Sequence, residues 1–212
     1  MGGVGGMGGA REPMRLGEWL LLAALWMLFG FMLWFYLSAF HIVPVRWASG
    51  EILAWLLGDP FDGVVAHADR RYLLQVHTHI PFLFPDGSRE PLGFIVNPLV
   101  YGYGLPLLFG LVMGSGARLR AKALTLLVGY LAVAAVQVWG VVWESLKTLS
   151  FNFGPEVHQV IVAAGISDTL IALCYQLGVL ILPPLVPVVL WVLASWEEVE
   201  HYIGWRRPGP SG

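Results

Sequence analysis

Two histidines, His77 and His79, have the residue type and spacing that could support a metal site. They lie two apart in a stretch that alternates polar and apolar residues, and side chains at i and i+2 of a strand share one face about 6.6 Å apart. Asp69 or Glu90 would serve as further ligands only if the fold brings them close. A zinc site needs at least three protein ligands, and no HExxH motif accompanies the pair. The alternative is two polar side chains on the wet face of a strand, so the sequence predicts neither a metal nor another cofactor.

Cys174, the single cysteine, is the candidate nucleophile. A thiol enzyme needs a thiolate and a base within hydrogen-bond reach, and His158 is near in sequence. Cys174 lies about one and a half to two turns into an apolar segment, where burial keeps a thiol protonated and unreactive. The alternative interpretation is a small packed core residue. With one cysteine, no disulfide can form within the chain.

Three polar side chains lie inside apolar segments. Gln137 and Glu144 are seven residues apart, so they share one face of a helix, and Gln176 follows in a later segment. Such residues either join helices through hydrogen bonds or line a path for ions or protons. Glu144 lies near a segment boundary, where Lys147 could pair with it. The transport hypothesis is weakened because the chain has no visible internal repeat.

The composition places these residues in a membrane protein. Of the 212 residues, 57% are hydrophobic and only 12% are charged, and the mean hydropathy is +0.70. A soluble domain has about 25% charged residues, so this chain has too little charge to cover a surface in water. The net charge of −2 does not suggest nucleic acid as a partner, and the sequence shows no basic patch that would.

Four apolar tracts predict an integral membrane protein, mainly α, with four transmembrane helices and a small extracytoplasmic α+β loop. The loop is expected to hold an interfacial helix and a β-hairpin. The predicted segments are a disordered cytoplasmic tail at 1–17, helices at 18–40, 98–115, 123–144 and 167–196, extracytoplasmic loops at 41–97 and 145–166, a cytoplasmic loop at 116–122 and a cytoplasmic tail at 197–212.

Lysine and arginine placement predicts that both termini are cytoplasmic. The tails and the short 116–122 loop hold most of the basic residues, while the opposite side holds fewer over about twice the length. In a bacterium, this places the chain in the inner membrane as a multi-pass protein. The residues counted on the cytoplasmic side are Arg11, Arg15, Arg118, Arg120, Lys122, Arg206 and Arg207.

The 41–97 loop shows two periods. Residues 44–59 have the pattern of an amphipathic helix with tryptophans at interfacial positions. Residues 64–80 alternate with period two, which predicts one strand that Pro81 ends. A turn at 85–88 and a return strand at 92–96 complete a hairpin, which needs the membrane surface, the helix or a partner to cover its apolar face. In the 145–166 loop, a short interfacial helix is expected to begin near Pro155.

Glycines, prolines and polar residues near the second and fourth tracts predict helix packing and contact with a partner. Asn97 and Pro98 suit the start of a helix, Gly110 and Gly114 form a small-xxx-small pair, and each proline frees a backbone carbonyl. Tyr101 and Tyr103 are expected to reach the headgroup layer. The predicted packing residues are Asn97, Pro98, Tyr101, Gly102, Tyr103, Gly104, Pro106, Gly110, Gly114, Gln176, Pro183, Pro184 and Pro187.

Several of these segments together resemble the small membrane proteins encoded alongside exosortase H. The string FIVNPLVYGYGLPLLFGLVMGSG, the preceding QVHTHI and the later LIALCYQLGVLILPPLVPVVLWV carry the resemblance, which extends over residues 44–191. Those proteins belong to the PEP-CTERM-type protein-sorting systems of Gram-negative bacteria. The resemblance implies an accessory protein of an exosortase and carries over no catalytic residue.

The functional prediction is therefore a non-catalytic accessory subunit, in the lipid bilayer, with an integral membrane partner such as an exosortase. Two alternatives stay open. One is a membrane enzyme centred on Cys174 and His158, or on a metal at His77 and His79. The other is a lipid-binding or transport component that uses Gln137, Glu144 and Gln176 as a polar path.

Overall fold

The structure is a computed structural model that describes residues 16–85 and 87–196. Residues 1–15 of the predicted amino-terminal tail and the whole predicted tail 197–212, with Arg11, Arg15, Arg206 and Arg207, lie outside the described residues, as does Asp86 of the predicted turn. The helices are α1 (Leu16–Tyr36), α2 (Ser38–His41), α3 (Val43–Leu57), α4 (Leu99–Gly102), α5 (Gly104–Gly114), α6 (Leu119–Phe151), α7 (Pro155–Ala163), α8 (Asp168–Gln176) and α9 (Leu182–Ala194), with a π-helical turn at Leu177–Ile181. The strands are β1 (Phe61–Ala66), β2 (Leu74–Leu83) and β3 (Arg89–Val96).

Three helical segments are long and apolar enough to cross a membrane: α1 with 21 residues, α6 with 33, and the continuous Asp168–Ala194 segment with 27. The predicted second span is shorter. Its apolar helix covers Leu99–Gly114 and has a turn at Tyr103. At 1.5 Å per residue it is roughly 24 Å long, against a hydrocarbon core of about 30 Å. Three of the four predicted spans are therefore candidate membrane-spanning helices, and the 98–115 segment is not confirmed as a fourth.

Helix α6 extends well beyond the predicted 123–144 segment. Its 33 residues correspond to roughly 50 Å of helix. The extra length at the carboxyl end is packed against protein, since Leu146 and Leu149 are fully buried in the same core as the strands. Helix α6 thus connects the bundle of apolar helices to the sheet.

The sheet has three antiparallel strands in the order β1-β2-β3. The predicted hairpin is present as the antiparallel pair β2 and β3, but the prediction of only two strands is wrong because β1 adds a third. The predicted 64–80 strand divides at residues 67–73. There, Leu73 N donates to Arg70 O at 2.8 Å, and His67 N donates to Leu73 O at 3.0 Å. Polar and apolar residues continue to alternate through this charged turn, so the sequence pattern predicted a single strand over residues 64–80. Pro81 does not end β2 but lies within it, opposite Pro91, where the register shifts.

The apolar face of the sheet is covered by helices of the same chain. Leu74, Val76 and Ile80 of β2 are buried, as the alternation predicted. The predicted amphipathic helix is α3, which buries Val45, Ser49, Leu53 and Leu57 at every fourth position. Together with α6 and α7, α3 closes one core around the sheet. Each buried aliphatic side chain contributes roughly 1.5–3 kcal/mol, which explains how so small a sheet is stable.

The predicted helix in the 145–166 loop is α7. It begins at Pro155, whose missing N–H costs nothing in the first turn. Gly154 precedes it with a φ of 86°, a left-handed conformation that favours glycine. Val157 and Ile161 of α7 join the core under the sheet.

Candidate functional site

Asn97 and Pro98 form the joint between β3 and α4. Asn97 Oδ1 accepts a hydrogen bond of 3.1 Å from Leu99 N, so Asn97 satisfies an amide of the first helical turn as predicted. Pro98 precedes the helix with a φ of −65° and is buried. Its carbonyl accepts a hydrogen bond of 3.0 Å from Gln137 Nε2 of α6. The joint is therefore attached to α6 by a buried amide.

Helix α4 lies against the face of α6 that carries Gln137 and Glu144. Tyr101 is 1% exposed and its Oη donates a hydrogen bond of 2.9 Å to Glu144 Oε2. Gly140 allows this approach, because a Cβ there would lie 2.1 Å from the Tyr101 ring. On the same face, a Cβ at Gly102 would lie 2.4 Å from Gln137 Nε2. The prediction that Tyr101 reaches the headgroup layer is wrong, because its buried hydroxyl donates to Glu144 inside the chain.

Helix α5 uses its glycines for contacts within the chain. A Cβ at Gly104 would lie 2.4 Å from Pro183 O, and one at Gly110 would lie 2.7 Å from Ala23 O. Gly114 contacts Ala23 of α1 as well. The small-xxx-small pair at positions 110 and 114 therefore packs α5 on α1, while Gly104 packs it on α9. Pro106 is buried in the same helix and Tyr103 is half-buried.

The prolines of α9 alter the third candidate span. Pro183 and Pro184 lie just after the π-helical turn Leu177–Ile181, which widens the helix where two successive residues lack an N–H donor. Pro187 leaves the carbonyl of Pro183 without a helical donor, and that carbonyl points at Gly104. A glycine Cα–H against a carbonyl is a weak hydrogen bond that recurs at helix interfaces. The helix packing that these prolines predicted is thus present at this contact.

Gln176 differs from the other predicted packing residues. Nine of the thirteen are buried within the chain, whereas Gln176 is exposed near the end of α8. No hydrogen bond to its side chain is present among residues 16–85 and 87–196. Gln137 and Glu144 bond to α4 while Gln176 faces outward, so the three do not form the continuous polar path that a transport function would need. The buried residues are Pro98, Tyr101, Gly102, Gly104, Pro106, Gly110, Gly114, Pro183 and Pro187.

A second polar cluster joins α6, α7 and α8. Ser150 Oγ donates to Asp168 Oδ1, and His158 Nε2 lies 3.1 Å from Asp168 Oδ1 and 3.0 Å from Oδ2. The sequence pointed to His158 but not to Ser150 and Asp168, which lie 18 residues apart in the chain. The only signal was the polar Ser167-Asp168 pair at a helix start.

This cluster has the residue types of a catalytic triad in a different order. In a triad the histidine lies between serine and aspartate and accepts the serine proton. Here the carboxylate of Asp168 lies between Ser150 and His158, so the hydroxyl donates to a carboxylate, and none of the histidines that the structure describes contacts it. The arrangement can hold three helix ends together. It does not activate the Ser150 hydroxyl.

Cys174 and His158 do not form a thiol–imidazole pair in this structure. Within the described residues, no hydrogen bond joins Cys174 to His158, whose Nε2 contacts Asp168. The thiol of Cys174 is half-buried in α8, and its backbone carbonyl accepts a hydrogen bond of 2.9 Å from Trp139 Nε1. Cys174 thus lies at a packed contact between α6 and α8.

The two strand histidines lie on one side of β2, with His79 more exposed than His77. His79 Nε2 is 3.8 Å from Asp62 Oδ1 of β1. In the part of the chain that the structure describes, no group of three or more His, Cys, Asp or Glu side chains is placed to hold a metal ion. Asp69 belongs to the turn before β2, where its N–H donates to His67 Nδ1 at 3.3 Å.

His41, at the end of α2, is a half-buried histidine with buried ring nitrogens that the sequence did not single out. Its ring stacks on Trp34 with centroids 5.9 Å apart. Burial lowers the pKa of His41 below 6.5, and this effect outweighs that of the nearby backbone carbonyls of Trp34 and His41. His41 is thus neutral at pH 7 and contributes to packing.

The apolar helices and their buried hydrogen bonds define a helical membrane protein. The model of the exosortase H-associated membrane protein family matches residues 13–198, and the chain belongs to that family. The resemblance inferred from the sequence is confirmed. No curated protein and no solved structure matches the chain significantly.

Proposed function

We propose that the chain is a non-catalytic accessory subunit that binds an exosortase in the bacterial inner membrane. Membership of a family described as exosortase H-associated supports the partner class. The internal packing of α4, α5 and α6 supports a scaffold role, because the buried polar groups Gln137 and Tyr101 are both used to join helices. A subunit of this kind contributes a shaped surface and no reacting group.

The observation that carries the proposal is the exposed amide of Gln176. It lies in the third candidate span, about 12 Å of helix from the first residue, Asp168. An amide that faces hydrocarbon without a hydrogen bond costs free energy, whereas a polar group of a neighbouring helix would satisfy it. Residues around it are apolar and exposed, among them Leu173 and Leu180. This face of α8 and the π-helical turn therefore suits a transmembrane helix of the partner.

The α4–α5 segment is proposed as the fourth membrane crossing. Helix α5 packs beside α1 through Gly110 and beside α9 through Gly104, so it lies in the same layer as two candidate spans. Four crossings would place both termini on one side, and Arg118, Arg120 and Lys122 at the start of α6 favour the cytoplasmic side. A short crossing is compatible with local thinning of the bilayer.

Co-purification in mild detergent tests the proposal. A tagged chain should recover an exosortase co-expressed with it, and Gln176→Leu should reduce the recovered exosortase about tenfold if one buried hydrogen bond and its geometry are lost. Leu21→Ala is the control, because it truncates an exposed side chain of another candidate span, α1, outside the proposed contact face. Failure of the wild-type chain to recover any exosortase would overturn the proposal. If Gln176→Leu recovers as much exosortase as the wild-type chain, the face around Gln176 is not the contact with the partner.

A further inference from the structure

A groove of about 490 Å³ runs between α3 and β1, on the side of the sheet away from β3. Its walls include Arg46, Trp47 and Gly50 of α3 and the consecutive residues Phe61–Val65 of β1. Side chains of a strand alternate between its two faces. A cavity lined by five successive strand residues therefore follows the edge of β1 and not one of its faces.

The edge of β1 presents unpaired backbone groups to this groove. β1 is an outer strand of the sheet, and His67 N donates to Leu73 O at 3.0 Å. Hydrogen-bonded and non-bonded pairs alternate along an antiparallel ladder, so Val65 exchanges its hydrogen bonds with Gln75. Val64 and Ala66 then direct their N–H and C=O groups away from β2. The described part of the chain gives these groups no other backbone partner.

The opposite edge of the sheet is less suited to pairing. β3 contains Pro91, which lacks a donor, preceded by the charged residues Arg89 and Glu90. Prolines and charges of this kind are common protections of edge strands. In β1 the register irregularity is confined to Phe61/Gly63, so Val64–Ala66 keeps regular strand geometry. The groove is therefore beside the better pairing edge.

Arg46 gives the groove a chemical preference. Its side chain is half-buried, and within residues 16–85 and 87–196 no carboxylate forms an ion pair with it. Asp62 and Glu51 also line the groove, but Asp62 lies 3.8 Å from His79 and neither of the two carboxylates forms an ion pair with Arg46. The guanidinium group binds carboxylates through two parallel hydrogen bonds. An occupant with a carboxylate side chain would therefore complete the site.

We propose that this groove binds an extended peptide segment of a partner protein as a fourth strand. The segment pairs with the free backbone groups of Val64 and Ala66 and places one carboxylate on Arg46. Trp47, which is 69% exposed at the groove, covers a side chain of the peptide. The occupant is extended because only a strand repeats its donors and acceptors at the spacing of β1. The inference does not require that the partner be an exosortase.

Peptide binding to the isolated full-length chain in detergent micelles tests the inference. The probe is a fluorescent acetylated hexapeptide of alternating threonine and valine with glutamate at its third position, followed by fluorescence anisotropy. Two comparison peptides carry glutamine in place of glutamate, or N-methyl groups on alternate amides. We expect the glutamine peptide to bind roughly fivefold to tenfold more weakly and the N-methylated peptide to lose binding.

Two variants locate the binding. Arg46→Gln should abolish the difference between the glutamate and glutamine peptides. Val64→Pro removes an N–H of the free edge without removing a β1–β2 hydrogen bond, so it should lose binding, while the control Val64→Thr keeps it. Thermal unfolding checks that each variant is folded. If Val64→Pro does not fold, Arg46→Gln alone tests whether the peptide binds at the groove.

Three outcomes would overturn the inference. They are no binding of the glutamate peptide at millimolar concentration, equal binding of the N-methylated peptide, and concentration-dependent dimerisation that Val64→Pro abolishes. The last would identify a second copy of the chain as the occupant. Because no exosortase is present in this experiment, its failure is distinguishable from failure of the co-purification test.

Discussion

Tyr101 donates a hydrogen bond of 2.9 Å to Glu144, 43 positions later in the chain, and the phenol ring lies against Gly140. This contact fixes α4 on α6 close to the point where β3 enters the helical bundle. The position of the strand-to-helix joint therefore depends on three residues of α6, one of them a glycine that provides space for the ring.

Loss of the tyrosine hydroxyl should weaken the joint. Tyr101→Phe keeps the ring on Gly140 but leaves Glu144 without this donor. We expect the variant to lose roughly 0.5–2 kcal/mol of stability, the range for hydrogen bonds between membrane helices. Thermal unfolding in one detergent measures the loss. Tyr103→Phe is the control, since Tyr103 is half-buried without a hydrogen bond among the described residues, and an equal loss there would argue against the Tyr101–Glu144 contact.

Gly104→Leu should disrupt packing within the chain. A Cβ at Gly104 would lie 2.4 Å from a backbone carbonyl, that of Pro183, which cannot move away as a side chain could. We expect normal membrane insertion but a stability lower by roughly 1–3 kcal/mol, as for other overpacked sites. Gly17→Leu is the matched control because a Cβ there has no neighbour within 4 Å. Unchanged thermal unfolding of Gly104→Leu would show that α5 and α9 are not this close.

His41 should make stability depend on pH below neutrality. Its pKa in the folded chain lies below the ordinary 6.5, because burial disfavours the charged ring. As the pH falls below about 6.5, the unfolded chain takes up a proton that the folded chain does not, so stability decreases until the folded pKa is reached. His41→Phe keeps a ring beside Trp34 and should show a smaller decrease between pH 7.5 and 5. Identical pH profiles of the two proteins would contradict this assignment.

Alanine variants separate the accessory role from the enzyme alternative. Cys174→Ala and the double variant His77→Ala/His79→Ala should leave protein sorting by the complete system within about twofold of wild type, whereas loss of a catalytic group costs about a hundredfold or more. Sorting of a reporter is compared at equal levels of the chain, measured by immunoblot. A hundredfold loss at unchanged protein level would restore an enzymatic function.

The sequence predicted contacts well where one residue type has one local role. Asn97 satisfies an amide at the start of α4, Pro155 begins α7, and the positions Leu74, Val76 and Ile80 of β2 are buried. The sequence predicted poorly which segments pair with one another, because a local pattern does not determine contacts between distant residues. The alternation through residues 67–73 suggested one strand, whereas the hydrogen bonds of Leu73 with His67 and Arg70 show that the chain turns there.

Glycine contacts show the same limit. Gly104 and Gly110 were recognised as sites of close approach, but the sequence could not say which helix approaches. Gly140 was not recognised, although it lies on the face between Gln137 and Glu144. Whether a glycine accommodates a ring, a carbonyl or a helix depends on the neighbour that the fold supplies.

By itself, the sequence determined that this is a helical membrane protein of an exosortase-associated family. A charge content of 12% is too low for a protein surface in water. In lipid, a long apolar tract that forms a helix satisfies all its backbone hydrogen bonds internally. The tertiary structure decided what the polar residues do. It bonded Gln137 to Pro98 and Glu144 to Tyr101, put Asp168 between Ser150 and His158, and left Gln176 exposed. The reason is physical: hydrophobicity is a local property of each segment, whereas hydrogen-bond partners are set by helix ends that are distant in sequence.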